Sequence, residues 1–203
     1  MRDYATMSDW LEKAGYRYLC YMSYQHNPVT ADFVEHLTKA IRGELGLYFD
    51  NPQIVSSADQ KPLESEWRDQ TEQALTSSVS MIAVLAPTYF TSERCGREWA
   101  AMKRLSERRL VPSQSAILPV LFRGDGGDVR REIEMIDLSR VSLAGRYYRS
   151  MEFNRAVVSI GDAVLDKATY LFENGIRAGV PDFVFPEQSA FPHRTPEPVA
   201  LRW

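Results

Sequence analysis

The sequence predicts an α/β fold: a parallel five-stranded sheet with helices on both faces. Short apolar runs of strand length alternate about five times with segments of helical period. The clearest runs, YRYLCYM (16–22), SMIAVLA (80–86) and AILPVLF (116–122), are dominated by apolar and aromatic residues, as in strands covered on both faces. The segments between them are long enough for the crossovers that parallel strands need.

Taken in order, residues 1–15 read as a short polar leader in which Trp10 and Leu11 are placed to pack on the domain of residues 16–174. After the strand at 16–22, Ser23, Asn27 and Pro28 mark a turn. Phe33, Leu37, Ala40, Ile41 and Leu45 then recur at helical spacing until Gly46. GLYFD (46–50) reads as a second strand and 51–62 as a loop, long for an α/β unit. Trp67, Thr71, Ala74 and Leu75 predict a helix before the strand at 80–86, which Pro87 ends. Ser92 is an N-cap for a helix to Arg109. Pro119 points to an edge or a bulge in the strand at 116–122. RGDGGD (123–128) is a turn, 129–136 a short helix, and 137–148 has room for a last short strand. Phe153, Val157, Ile160, Val164 and Leu171 mark the final helix. The tail, 175–203, holds five of the eleven prolines yet keeps Phe183, Phe185, Phe191 and Trp203, which predicts an extended strap docked on this domain or a neighbour.

Composition narrows the function. The 203 residues carry a net charge of -3, against the basic surface a nucleic-acid binder needs. No apolar run has membrane-spanning length, and the first residues lack the apolar stretch of a secretory signal. Cys20 and Cys95 with three scattered histidines form no metal-ligand spacing and fit a reducing, cytoplasmic setting.

A parallel sheet binds ligands beyond the carboxyl ends of its strands. Those ends place Ser23, Tyr24, Asp50 and the 87–92 segment as candidates, with His26 close enough to contact a ligand. Asp50 is a candidate for ribose or for capping the following loop. On the helix from Ser92, at roughly 100° per residue, Glu98 falls between Met102 and Leu105, beside the packed face set by Cys95, Trp99 and Ser106. Two readings are open: a desolvated carboxylate of the kind enriched in active sites, or an i, i+4 ion pair with Arg94. Cys95 reads as a packed thiol more readily than a nucleophile. The glycine-rich turn lacks a phosphate-binding lysine. The basic run 103–109 is a solvated face or a surface for an acidic partner. His36 reads as a surface residue, and His193 lies in the tail.

Four ordered segments, MSYQH (22–26), SEWRDQTEQALTSSVSMIAVLA (65–86), APTYFTSERCGREW (86–99) and ILPVLF (117–122), together resemble the TIR (Toll/interleukin-1 receptor) family, most of all its bacterial members. The resemblance extends over residues 16–172 and implies a flavodoxin-like sheet. It implies that Glu98 is the glutamate with which catalytic members cleave the nicotinamide glycosidic bond of NAD⁺. That carboxylate holds the ribose hydroxyls and stabilises the developing oxocarbenium charge. Tyr24 would contact the nicotinamide side, and the loop 51–62 would gate the cleft and meet neighbouring copies. NAD⁺ is then a substrate, with no cofactor and no metal.

The implied product is ADP-ribose or a cyclic ADP-ribose. The implied setting is anti-phage defence or signalling, with activity switched by self-assembly into filaments, alone or beside a separate sensor protein. The alternative within the same family is a non-catalytic interaction scaffold. Two positions depart from the family pattern: Arg94 stands where a tryptophan is usual, and Glu64 where a glycine is. Arg94 would either pair with Glu98 or bind a diphosphate. A receiver domain is disfavoured because no acidic pair follows the first strand.

Overall fold

The computed structural model describes residues 3–57, 64–127, 129–143 and 145–191, with the side chains of 64 and 65 excepted. The second half of the expected gating loop, Glu64 as a side chain, the last residue of the glycine-rich turn, and the tail beyond 191 with His193 and Trp203 lie outside the described residues.

Five strands form one parallel sheet: β1 (Tyr18–Tyr24), β2 (Ile54–Ser56), β3 (Ser78–Leu85), β4 (Ile117–Leu121) and β5 (Ile136–Asp137), in the order β2-β1-β3-β4-β5. β1 pairs with β3 through Tyr21 opposite Met81 and Ser23 opposite Ala83. The direction of winding reverses between these two strands, so the crevice beyond their carboxyl ends is the favoured ligand position of this topology. β3 is buried along its whole length, which is why its 81–85 segment reads as an unbroken apolar run.

Among the described residues six α-helices accompany the sheet: α1 (Tyr4–Lys13), α2 (Pro28–Leu45), α3 (Glu64–Thr76), α4 (Glu93–Arg109), α5 (Val129–Glu132) and α6 (Met151–Glu173). α2 and α6 pack together on one face, and α3 and α4 on the other. Strand alternation divides β1 between these faces. Cys20 lies toward Lys167 of α6, whereas Tyr21 and Ser23 meet Glu98 of α4. Side-chain caps start four of the described helices: Asp3 accepts from the Thr6 amide, Asn27 from Thr30, Ser92 from Cys95 and Ser150 from Phe153. Ser92→Ala is expected to cost about 1 kcal/mol, read from the shift in a urea-unfolding midpoint.

Three expectations are corrected. Residues 4–13, read as a polar leader, form a helix that buries Met7 and Leu11 one turn apart and rests on α6. Its two inward positions are too few to raise a periodic signal. The second strand is not GLYFD: the amides of Leu47, Tyr48 and Phe49 bond back to Glu44 and Leu45, closing α2, and Phe49 drops into the core. The strand is instead Ile54–Ser56, inside the segment read as loop. It is too short to announce itself, and its pairing with Cys20–Met22 defines it. Pro119 sits in β4 just before β5 begins pairing at Val120, so the strand is locally an edge there, as a proline requires.

The tail crosses the α3–α4 face. Arg109 donates to Ala178 O, Arg108 to Pro181 O, Arg104 to Val184 O and Arg68 to Phe185 O. Phe185 is buried edge-on against Trp67, and Phe191 packs on Tyr89, Phe90 and Trp99. The basic run of α4, read as a solvated face, thus supplies three of these four donors.

Candidate functional site

Glu98 projects from the second turn of α4 toward the sheet and is 2% exposed. Tyr21 donates to Glu98 Oε1 at 2.9 Å, and Ser23 to Oε2 at 2.5 Å. These donors are two residues apart on β1, so the pleat aims both side chains at the same carboxyl. Behind them Tyr89, in the 3-10 turn Pro87–Tyr89, lies 2.9 Å from Ser23 Oγ. With the Ser23 proton committed to Glu98, Tyr89 donates to Ser23. Thr71 of α3 bonds the Tyr21 hydroxyl.

Burial pushes the Glu98 carboxyl up to about 7, against the pull of Ser23, then Tyr21, and last the positive charge of Arg94. Near neutral pH the group therefore exists in both protonation states. A carboxylate offers roughly four acceptor positions, and Tyr21 and Ser23 leave room for further donors such as a diol. Burial raises the Tyr21, Tyr89 and Cys95 groups as well, so each stays protonated at neutral pH. Cys95 is a packed thiol, raised first by burial and then by Glu98, and is not poised as a nucleophile.

The other expected site residues divide. Ser23 belongs to the site, but as the hydrogen-bond donor to Glu98. Tyr24, one residue on, turns to the opposite face of the sheet and stacks on His26 with ring centroids 4.4 Å apart. His26 Nε2 lies 3.2 Å from Ser57 Oγ, joining the ends of β1 and β2. Arg94 does not take up the i, i+4 pairing with Glu98: it is exposed, and its guanidinium lies 4.6 Å from the centre of the Trp67 ring. Asp50 is removed from the site altogether. Because β2 starts at Ile54, Asp50 precedes the strand and lines a cavity of about 540 Å³ with Tyr16, Tyr18 and Phe49, at the amino end of the sheet. A second cavity, of about 290 Å³ beside Arg17 and Gln73, lies at that same end. His36 stacks on Tyr148, away from the site.

Tyr21, Tyr89 and Thr71 were not singled out from the sequence. The available signal was a tyrosine and a serine at alternate positions of a strand otherwise buried and apolar, since a buried hydroxyl needs a partner.

A family model described as TIR domain matches residues 23–147. The chain belongs to the TIR family. The match opens at Ser23, the donor to Glu98, and closes at Tyr147, so α1, most of β1, α6 and the strap lie outside it. No curated protein matches the chain. Among the described residues of this TIR domain, no helix is long and apolar enough to cross a membrane.

Proposed function

We propose that this TIR domain cleaves the bond between nicotinamide and ribose in NAD⁺, with Glu98 as the catalytic carboxylate. The observation that carries the reading is the Glu98 carboxyl itself: buried, held by Tyr21 and Ser23, and placed at the reversal of strand order. Once reached by substrate, its remaining acceptor positions bind the ribose hydroxyls, and its charge offsets the positive charge that develops at C1′. The C1′–N bond breaks with its electron pair passing to the nicotinamide ring. Nicotinamide leaves neutral, so no strong acid is needed. Water then adds its oxygen to C1′ and gives up a proton, forming ADP-ribose; attack by a nucleophile within the ADP-ribosyl group forms a cyclic product instead.

In this reading the conformation described here is the resting one. TIR domains typically make TIR–TIR contacts, and a head-to-tail contact extends into open filaments, which would select an open arrangement of the Glu98 site. The biological setting is NAD⁺ depletion or nucleotide signalling in the cytoplasm, in antiviral defence, alone or with a separate sensor protein.

A second reading, a non-catalytic interaction module, is favoured by the near-complete burial of Glu98. One experiment separates the two. Purified protein is incubated with NAD⁺, dilute and then concentrated under crowding, and nicotinamide is followed by chromatography. The catalytic reading expects release that grows with assembly and falls to background in Glu98→Ala with its fold retained. Absence of release from assembled wild-type protein selects the interaction module.

A further inference from the structure

Gly96 sits inside α4, where glycine is a poorer choice than alanine, with no positive φ to require it. The reason for it lies in the strap. A Cβ built on Gly96 would meet Ser189 Oγ at 1.7 Å, Ser189 Cβ at 2.7 Å and Ser189 Cα at 3.2 Å. The strap backbone approaches so closely that the Ala190 amide donates to Gly96 O at 3.0 Å. The Ser189 hydroxyl accepts from the Phe191 amide at 3.1 Å, which fixes the turn that presents the Phe191 ring.

That ring lies 5.5 Å from Trp99, the residue after Glu98, and 6.0 Å from Tyr89. Tyr89 bonds Ser23, and Ser23 bonds Glu98. A continuous set of contacts therefore runs from Phe191 of the strap through Tyr89 and Ser23 to Glu98 Oε2. The arginine-to-carbonyl bonds at Ala178, Pro181, Val184 and Phe185 fasten the strap upstream and leave 189–191 as its clamping end.

We infer that residues 189–191 are a clamp that holds Glu98 in its buried position, and that their release exposes the carboxyl at the carboxyl ends of the strands. Gly96 is the seat of the clamp, and Tyr89 is the positioning residue through which Phe191 acts on Ser23 and Glu98. The catalytic consequence, that release activates NAD⁺ cleavage, rests on the function proposed above; the clamp does not.

The test reads Glu98 directly. Full-length protein is treated with a water-soluble carbodiimide and glycinamide, which converts reachable carboxyls to amides, and the peptide containing Glu98 is quantified by mass spectrometry. In wild-type protein Glu98 is expected to react slowly, while Glu107, exposed on the same helix, reacts freely. Gly96→Ala, which forces Ser189 away, and Phe191→Ala, which removes the ring, should each raise Glu98 labelling roughly tenfold or more, the population change that follows from overpacking or emptying a buried contact. Labelling at Glu107 should not change. Gly96→Ala combined with Ser189→Gly should return part of the way toward wild type, because it removes the two nearest clashing atoms but also the hydroxyl that accepts from the Phe191 amide.

Hydrogen exchange at the Ala190 amide confirms that the strap has moved. Faster exchange there with unchanged Glu98 labelling overturns the clamp. Should Gly96→Ala disturb the whole fold, seen as labelling at every carboxyl, Phe191→Ala decides. Raised Glu98 labelling with no nicotinamide release leaves the clamp standing and overturns the catalytic assignment instead.

Discussion

Arg109→Ala is expected to lower the stability of the chain by roughly 3–5 kcal/mol, a large part of what a domain of this size has. The side chain is 3% exposed at the end of α4. Its guanidinium donates to Ser78 O at 3.1 Å, and to Thr76 O and Ala178 O at 2.5 Å each, and it lies over the Tyr16 ring. These acceptors are main-chain carbonyls of three different segments: the end of α3, the start of β3 and the start of the strap. Carbonyls cannot be mutated away, so deleting the donor takes a partner from the buried bonds at Ser78 and Ala178, at a cost of about 1–3 kcal/mol each, and from the half-buried one at Thr76. Burial lowers the Arg109 pKa but leaves the fork intact. Arg109→Lys should recover only part of the loss, because one ammonium on a flexible stem does not reproduce the planar fork across three acceptors. Urea unfolding of the three proteins at one pH measures this. A loss under about 1 kcal/mol in the alanine variant would show that the arginine does not organise the junction.

The same residue shows where reading the sequence stops. Lys103 to Arg109 looks like a solvated stripe because charge density is read one residue at a time, and nothing local says that a proline-rich segment from the end of the chain lies across it. The strands that were legible, β1, β3 and β4, are those buried on both faces, where every position reports the same environment. β2 is hidden in the sequence because a three-residue strand is specified by its neighbour, and in GLYFD the aromatic Phe49 is the core anchor of a turn. The helix of residues 4–13 is not legible in the sequence because its contact with α6 confers the order that its own two buried apolar residues do not announce.

At the site, helical geometry was enough to place Glu98 on the rim of the packed face, and it left the choice of partner open. The neighbour four residues earlier on the helix, Arg94, was the local candidate. The observed partners are 77 and 75 residues away in sequence, at Tyr21 and Ser23. Asp50 fell out of the site once β2 moved, since a residue before a strand stands at the opposite end of the sheet from one after it. The aspartate was sound chemistry attached to an incorrect strand boundary.

Glu98→Gln should make the fold more stable than wild type at pH 8, by on the order of 3 kcal/mol, and the difference should fade toward pH 4.5. The sign follows from where the proton sits. Unfolded, the carboxyl titrates near 4.5; folded, burial raises it to about 7. Below the lower value both states are protonated and this group adds no pH dependence. Between the two, the native state keeps a proton that the unfolded chain has released, so stability falls as pH rises, and above about 7 the whole penalty of a buried carboxylate is present. Glutamine keeps the shape without the charge. Its carbonyl accepts from one of Tyr21 and Ser23, and the other hydroxyl reverses to accept from its amide. Unfolding both proteins at pH 5 and pH 8 isolates the group, because every other titration is shared. An equal difference at the two pH values would refute the prediction. The same linkage acts on the clamp: an open state with a hydrated carboxylate has the ordinary pKa, so raising the pH from 5 to 8 favours opening. Hydrogen exchange at Ala190 should then quicken over that range in wild-type protein, beyond the intrinsic base catalysis of exchange, and Glu98→Gln should lose this extra dependence.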